Sequence, residues 1–283
     1  MTKQLLTAFS EDDVQALSAE MKVGLLATVN PEGLPHLTML SSLQANAPTQ
    51  MTFGQFTEGT SKQFIRQKPK VGWLVMTLDK QVWRGTANFT HTASQGPESE
   101  MYNNTPMFRY NAYFGVHTVY YLDLVAHSGR QVLPMGRVVW AAVQTMVAKT
   151  LSGRRNVTDV LNPWTRALMN KLDNLKFVAY VGDDGYPQVI PAIQAQADDA
   201  EHVLFSTGAY GDDLAAIPAG ATVAVFGMSL QMEDVLLRGE FEGVRRVGGV
   251  RCGCVRVDWV YSPMPPKPRQ IYPPLALEPV TAF

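Results

Sequence analysis

The stretch MTFGQFTEGTSKQFIRQKPKVGWLVMTLDKQVWRG, residues Met51–Gly85, contains the pattern that decides the fold. A short apolar run at Met51 and Phe53 leads into a turn rich in glycine and threonine, and an amphipathic segment then begins at Thr60. Pro69 ends that segment, and apolar residues alternate again in the run VGWLVM that follows. The stretch therefore predicts a strand, a short helix and further strands in succession.

The turn before the predicted helix carries residue types that suit a phosphate group. Thr60, Ser61 and Lys62 open the helix, so hydroxyls, free backbone N–H groups and a positive charge meet at one helix N-terminus. The alternative interpretation is an ordinary capped helix with a solvated lysine. This stretch alone leaves both interpretations open.

The composition indicates a globular chain with a large core and excludes some partners. Of 283 residues, 46% are hydrophobic and 17% are charged, which suits two domains of ordinary size. The formal net charge of −1 gives no support for binding to nucleic acid or to anionic membranes. The N-terminal residues lack the apolar run of an export signal, so we expect a cytoplasmic protein.

Cysteine and histidine spacing predicts no metal site. Cys252 and Cys254 lie two residues apart in a strand-like run, which favours a buried pair of thiols on one face. The five histidines are scattered and show no metal-ligand spacing.

The two halves of the chain repeat one layout. The segment ATVNPEGLP begins at residue 27, and the similar segment AYVGDDGYP begins at residue 179, an offset of 152. At the same offset apolar residues recur, for example Phe53 with Phe205 and Val71 with Val223. The chain is therefore predicted to be a tandem duplication of a β-rich unit of about 130 residues.

Each unit is predicted to contain a leading helix, six short strands and a helical turn after the third strand. Six antiparallel strands with one apolar face close most simply into a small barrel, which removes exposed edges. The predicted boundaries are a first barrel at 1–134, a helical linker at 135–160 and a second barrel at 161–283. The first copy also carries an insertion between its last strands.

This order of segments resembles the FMN-binding split-barrel family typified by pyridoxamine 5′-phosphate oxidase. The resemblance covers nearly all of residues 10–130 and, more weakly, 165–272. The segments that carry it are LLATVNPEGLPHLTML, TFGQFTEGTSKQ, PKVGWLVM and QVWRGTANF. It implies a mainly β fold with helices, in which two tandem six-stranded antiparallel split barrels form an internal pseudo-dimer. It also implies that the flavin phosphate lies at the turn after the third strand and that the flavin ring lies between the barrels.

The resemblance implies a set of cofactor-binding residues but no catalytic residue. Residues that would line the flavin ring are Thr38, Met39 and Leu40, and the family's strand-end position is held by Phe53 and Gly54. The phosphate would be gripped by Thr60, Ser61 and Lys62, and Gln81 would reach the flavin. Arg66 lies one helical turn beyond the phosphate turn. His36, on the strand that carries Thr38, is a further candidate for contact with the ligand.

The second copy differs at the phosphate turn. At the offset of 152, the positions of Thr60, Ser61 and Lys62 are taken by Asp212, Asp213 and Leu214. Two carboxylates would repel a phosphate dianion, and they can satisfy the helix N-terminus themselves. We therefore expect one flavin per chain, held by the first copy.

The predicted function is that of a flavin-dependent oxidoreductase that binds FMN noncovalently, with the hydride chemistry supplied by the cofactor. Its partners would be a small-molecule substrate or an electron donor or acceptor, without nucleic acid or membrane, and a homodimer is possible. Vitamin B6 oxidation is not predicted, because the C-terminal RQIYPPLALEPVTAF lacks a match to the oxidase's substrate-binding Arg and His. The open alternatives are an FMN carrier or sensor without turnover, a haem- or deazaflavin-binding barrel, and a ligand-free structural protein.

Three further expectations concern single residues. Trp73 and Trp83 alternate on strands, which favours packing over stacking on a flavin. Tyr102, Arg109 and Tyr110 in the insertion would either shape a substrate pocket or pack against the partner barrel. Replacing the solvated Lys62 by glutamate should release the flavin and leave the fold intact.

Overall fold

The computed structural model describes residues 5–56, 59–105, 115–153, 158–264 and 268–276. The chain is mainly β, and two antiparallel sheets follow one another along it. The predicted fold class, a tandem of antiparallel split barrels, is therefore confirmed. The contacts divide the chain into two compact units, Met1–Leu133 with Val181–Val189, and Pro134–Tyr180 with Ile190–Phe283.

The first sheet has the strand order β2-β1-β5-β6-β7-β4-β3, and β8 pairs with β6. It has eight strands, whereas the sequence predicted six. The prediction missed β3 and β8, because these short strands have too few residues to show a period-two pattern. The helices and strands described here are α1 Glu11–Leu17, β1 Lys22–Val29, β2 Pro35–Met39, β3 Gln44–Ala47, β4 Gln50–Gln55, α2 Thr60–Gln67, β5 Lys70–Thr77, β6 Gln81–Ala93, α3 Pro97–Asn104, β7 Thr118–His127 and β8 Gln131–Val132.

The second sheet has the order β10-β9-β13-β14-β15-β12-β11, and β16 pairs with β15. The elements after β8 are α4 Met135–Leu151, α5 Pro163–Asn170, β9 Leu175–Val181, β10 Pro187–Pro191, β11 Gln196–Ala197, β12 His202–Ser206, α6 Gly211–Ala215, β13 Thr222–Met228, β14 Asp234–Val247, β15 Val250–Ser262 and β16 Arg269–Tyr272.

The two sheets confirm the repeat seen in the sequence. β2 begins at residue 35 and β10 at residue 187, so the offset of 152 holds in the folded chain. In the first copy α3 stands between β6 and β7. In the second copy, β14 and β15 are joined by Gly248 and Gly249, whose φ values of 55° and 84° let the chain turn tightly. The insertion predicted for the first copy is therefore present.

The leading helix α1 has seven residues, and its start is fixed by an N-cap. The Ser10 Oγ accepts the backbone N–H of Asp13 at 3.1 Å, as an N-cap should. The helix ends at Leu17, and the Met21 side chain, four residues further along the chain, is exposed. Trp73 and Trp83 are fully buried, which confirms their assignment to the core.

The carboxylate of Asp13 connects α1 to the sheet. It is buried, and its Oδ1 accepts the Trp83 indole N–H at 3.1 Å and the Arg130 Nε–H at 3.0 Å. Arg130 Nη2 lies 2.9 Å from the same oxygen. The guanidinium also lies over the Trp83 ring, 5.2 Å from its centroid. The Asp13 carboxylate therefore accepts the hydrogen bond of the buried Trp83 indole and pairs with the Arg130 cation.

Asp13→Ala should lower the free energy of unfolding by about 2–3 kcal/mol, because it leaves the buried Trp83 N–H without its acceptor. Urea unfolding followed by tryptophan fluorescence measures the change. Asp12→Ala, on the exposed side of the same helical turn, should change it by less than about 0.5 kcal/mol. Equal effects of the two substitutions would contradict the role given to Asp13.

A buried lysine stands at the start of β1 and of β9. Lys22 Nζ donates to the Ala19 carbonyl at 2.7 Å, and Lys176 Nζ donates to the Lys171 carbonyl at 2.5 Å. Each acceptor lies in the chain that leaves the leading helix of its unit. Burial lowers the pKa of both lysines from the usual 10.5 to about 8.

The free energy of unfolding should rise between pH 8 and pH 10. Below pH 8 both states hold the lysine protons, whereas above it the unfolded chain binds more protons than the folded one. Raising the pH through this window therefore favours the folded state, by at most about 1.4 kcal/mol per lysine and pH unit. Denaturant unfolding at several pH values measures the slope, and the double variant Lys22→Met with Lys176→Met should lose it. An unchanged slope in that variant would contradict the assignment.

Helix α4 packs against the second sheet along one face. Its buried residues Val138, Ala141, Thr145 and Ala148 recur at helical spacing towards β12 and β15. Thr145 Oγ1 accepts the backbone N–H of Ser206 at 2.9 Å. Cys252 and Cys254 on β15 are both buried, which confirms the predicted pair of buried thiols.

Candidate functional site

Helix α2 begins without a side-chain cap. Its N-cap is Gly59, whose φ of −151° is extended and whose lack of a side chain leaves the first turn without a capping oxygen. Apart from its chain neighbours, no atom of the described residues would lie within 4 Å of a Cβ placed at Gly59. The described residues therefore provide no side-chain cap for the first turn of α2, whose backbone N–H groups are of the kind that can bind an anion.

Strand β2 brings two polar side chains to this turn. His36 and Thr38 lie two residues apart and so share one face of the strand. His36 Nε2 lies 3.2 Å from the Thr60 Oγ1, and the Thr38 and Ser61 hydroxyls hydrogen-bond to each other. Three of the predicted site residues, together with the candidate His36, therefore form one cluster, held by the pairing of β2 with β1 and by α2.

The structure corrects the expectation that Lys62 is solvated. The Lys62 residue is only 7% exposed, and the neighbouring Ser61 is 4% exposed. The amphipathic pattern suggested a surface position for Lys62 because the side chain is charged, but α2 packs against β1 and β2. A glutamate at position 62 would bury a new carboxylate. The substitution Lys62→Glu would therefore disturb the fold as well as the binding of any ligand.

A polar network continues from the second turn of α2. Arg66 Nη2 donates to the Tyr120 hydroxyl at 2.8 Å, and that hydroxyl donates to the Gln55 Oε1 at 2.8 Å. The Arg66 guanidinium also lies 5.8 Å from the Tyr120 ring centroid. The network joins α2 to β4 and β7. The sequence did not indicate it, because Gln55 and Tyr120 are distant along the chain.

The predicted strand-end residues lie inside the packed unit. Phe53 is fully buried and stacks on the Tyr120 ring, with centroids 4.8 Å apart. Gly54 exchanges hydrogen bonds with the Ser42 hydroxyl, and a Cβ at Gly54 would lie 2.9 Å from Val116. Both residues therefore belong to β4 and are covered by other parts of the chain.

The remaining predicted residues are not all close to the turn. Met39 lies on the opposite face of β2 from Thr38, and Leu40 packs against the core. The ladder Thr38–Leu26–Trp73–Gly85 places Thr38 level with Gly85 on β6. Gln81 is four residues from Gly85 and three strands from Thr38, a separation of about 20 Å along the sheet. The structure does not bring Gln81 to the cluster.

Gln81 lies instead in a cleft of about 450 Å³ in the first unit. The cleft is lined by the end of α1 and the turn between β5 and β6, with Trp83 and Arg130 at its wall. Its lining is mostly apolar, and Arg130 is already engaged by Asp13.

The insertion packs on the sheet through Tyr102. This side chain is fully buried, and its hydroxyl donates to the Ser42 carbonyl at 3.0 Å and lies 2.9 Å from the Thr52 Oγ1. Burial raises the pKa of Tyr102 well above its usual value. Arg109 and Tyr110, the other candidates of the insertion, lie outside the described residues.

The corresponding turn of the second copy has different chemistry. Helix α6 has only five residues, and its first turn carries Asp212 and Asp213. Leu214, at the position of Lys62, is fully buried in the core of its unit. Ser206, at the end of β12, has its hydroxyl bound to the Gln144 Oε1 of α4 at 2.7 Å.

Among the described residues, no group of three or more His, Cys, Asp or Glu side chains could hold a metal ion. Within the same residues, no helix has both the length and the apolar composition needed to cross a membrane.

Several solved structures resemble part of this chain. A Lactobacillus delbrueckii protein, described by inference as a pyridoxamine 5′-phosphate oxidase, is 17% identical; the match covers 43% of this chain and 94% of that one, with a TM-score of 0.34. An FMN-binding protein from Syntrophomonas wolfei is 15% identical over 41% of this chain and 82% of its own, with a TM-score of 0.35. An F420 reductase is 18% identical over 42% and 98%, with a TM-score of 0.33.

No protein-family model and no curated protein matches the chain. The strand order of both sheets defines the chain as a tandem split-barrel protein. The tandem split-barrel fold predicted from the sequence is therefore confirmed.

Proposed function

We propose that the protein binds FMN through the phosphate group at the first turn of α2 and works as a flavin-dependent oxidoreductase. The observation that carries the proposal is the cluster in which Thr60 and Ser61 meet His36 and Thr38 beside an uncapped helix N-terminus. Hydroxyl and backbone donors at such a terminus suit a phosphate dianion, and Lys62 adds a positive charge. The choice of a flavin rests on the resemblance of the sequence to FMN-binding split barrels.

Each residue of the cluster has a defined task in this proposal. Thr60 and Ser61 donate their hydroxyl protons to phosphate oxygens. His36 and Thr38 act behind them: when each donates to its neighbour's oxygen, that neighbour's proton is left to point at the ligand. Lys62 stands in a buried position, where its charge is screened less than in water. When bound, the flavin supplies the hydride and electron chemistry, and the chain orients it.

The second copy supports a stoichiometry of one flavin per chain. The short helix α6 carries two carboxylates in its first turn, and a core leucine replaces the lysine. Like charges disfavour a phosphate at that position. Asp213→Asn should therefore leave the flavin content of the purified protein unchanged.

The visible spectrum of freshly purified protein, followed by the ratio of released flavin to chain, tests the proposal. A flavin spectrum with a ratio near one is expected. A flavin-to-chain ratio near two would contradict the single site. A Soret band would show that the bound cofactor is haem and not a flavin. Mass spectrometry of the released chromophore separates FMN from a deazaflavin. A colourless protein that takes up no added FMN would overturn the proposal.

Turnover separates an enzyme from a carrier. Holoprotein that oxidises a reduced nicotinamide in the presence of an electron acceptor is expected. Bound FMN without any such turnover would support a carrier or sensor and contradict the oxidoreductase assignment.

A further inference from the structure

Helix α4 has a second face that is exposed and apolar. Opposite the residues that pack on the second sheet, six large apolar side chains are each between 38% and 62% exposed: Met135, Val139, Trp140, Val143, Val147 and Leu151. We call this set the α4 stripe. Solitary exposed apolar residues are common on proteins, but six on one helix of about 25 Å form a continuous patch. A patch of this kind marks an interaction surface.

The α4 stripe is nearly symmetric about its centre. Five of its members recur every four residues and form one ridge of the helix, with Val143 in the middle. Val139 and Val147 lie at equal distances on either side, and the ends are Met135 and Leu151, which are similar in volume. A two-fold axis through Val143 would therefore set each of these five ridge side chains against a partner of matching size. Such self-complementarity is what an isologous dimer requires.

The charges on α4 do not oppose this pairing. Residues 135–151 contain no carboxylate, and their two cations are Arg137 and Lys149. Arg137 Nε donates to the Gly208 carbonyl at 3.3 Å, and Lys149 Nζ donates to the Asn170 Oδ1 at 2.9 Å. Both cations are thus engaged within their own unit, and the stripe itself is uncharged.

We propose that the α4 stripe is the interface through which two copies of this chain form a two-fold symmetric dimer. From the exposed fractions, the stripe offers roughly 500 Å² per copy, so a pair would bury up to about 1,000 Å², the lower bound of a specific interface. Trp140 is the most exposed member and is the residue type that most often dominates binding energy.

A lipid surface is the competing occupant, and the helix suits it less well. Helices that lie on membranes carry a lysine- and arginine-rich polar face turned towards water and headgroups. The other face of α4 is packed against β12 and β15, and its two cations are bound to acceptors of the second unit. The observations therefore favour a second copy.

The mass of the full chain in solution tests the dimer. Light scattering during size exclusion should give twice the chain mass of 31.2 kDa at micromolar concentration. Val143→Glu places two carboxylates against each other at the axis and should raise the dimer dissociation constant at least about 100-fold. Leu230→Glu, at a leucine that is 72% exposed outside α4, is the matched control and should remain dimeric.

A charge-swap pair keeps the test decisive if one variant folds poorly. Val143→Glu and Val143→Lys should each be monomeric, and an equimolar mixture of the two should recover the dimer. A wild-type chain that stays monomeric at about 100 µM would overturn the proposal, as would a dimer that survives Val143→Glu. Binding of a monomer to phosphatidylcholine–phosphatidylglycerol vesicles, lost in Val143→Glu, would overturn it in favour of a lipid surface.

Discussion

Replacing Gly239 by alanine should lower the free energy of unfolding by about 3 kcal/mol or more, and Gly85→Ala should act similarly in the first unit. A Cβ at Gly239 would lie 2.0 Å from the Arg256 carbonyl oxygen, and one at Gly85 would lie 2.1 Å from that of Ala126. The obstacle in both cases is the backbone of the neighbouring strand, which cannot rotate away as a side chain can. The strands would have to separate, and ladder hydrogen bonds would weaken.

The two glycines occupy equivalent places in the repeat, which sharpens the test. Both follow an arginine, and each lies beside a register shift of its ladder, between Thr86 and Ala87 in the first sheet and next to Gly239 in the second. Guanidinium unfolding of each variant measures the loss. Gly211→Ala is the control, since its Cβ would meet nothing closer than Thr207 at 3.6 Å. Variants at Gly85 and Gly239 as stable as this control would refute the argument.

Lys62→Met should weaken FMN binding by about 100-fold, or about 2.7 kcal/mol, and should leave riboflavin binding nearly unchanged. Methionine keeps the length of the buried side chain and removes its charge and its N–H donors. It therefore suits the buried position of Lys62 better than glutamate does. Fluorescence titration of the apoprotein with FMN and with riboflavin measures the two affinities.

The comparison of two flavins separates a phosphate contact from a general loss of structure. Riboflavin lacks the phosphate. A damaged fold would therefore weaken the binding of both flavins, whereas a lost phosphate contact would weaken the binding of FMN alone. Lys68→Met, just beyond the end of α2, is the control and should bind FMN as the parent does. If Lys62→Met retained the full preference for FMN over riboflavin, the phosphate would have to lie elsewhere.

Several features of the fold could be predicted from the sequence because they depend on local pattern. The alternation of apolar residues and the repeat of 152 positions both survive in the folded chain, and they yield two sheets of the same strand order. The short strands β3 and β8 could not be predicted, because four and two residues are too few to show a period.

The candidate site was predictable only in part. The hydroxyls of Thr60 and Ser61 follow from the helix start, and their partners on β2 follow from the alternation of His36 and Thr38. The position of Gln81 did not follow, because its distance from the turn depends on the register of four neighbouring strands. Sequence spacing carries no information about that register.

The sequence by itself determined the duplication, the mainly β class and the chemical difference between the first turns of α2 and α6. These are properties of residue type and order, and they hold for any arrangement of the elements. Only the tertiary structure decided that Lys62 is buried, that Arg66 reaches Tyr120 and that one face of α4 stays uncovered. Burial and contact depend on which surfaces meet across long sequence separations, and helical periodicity alone cannot say which apolar face will be covered.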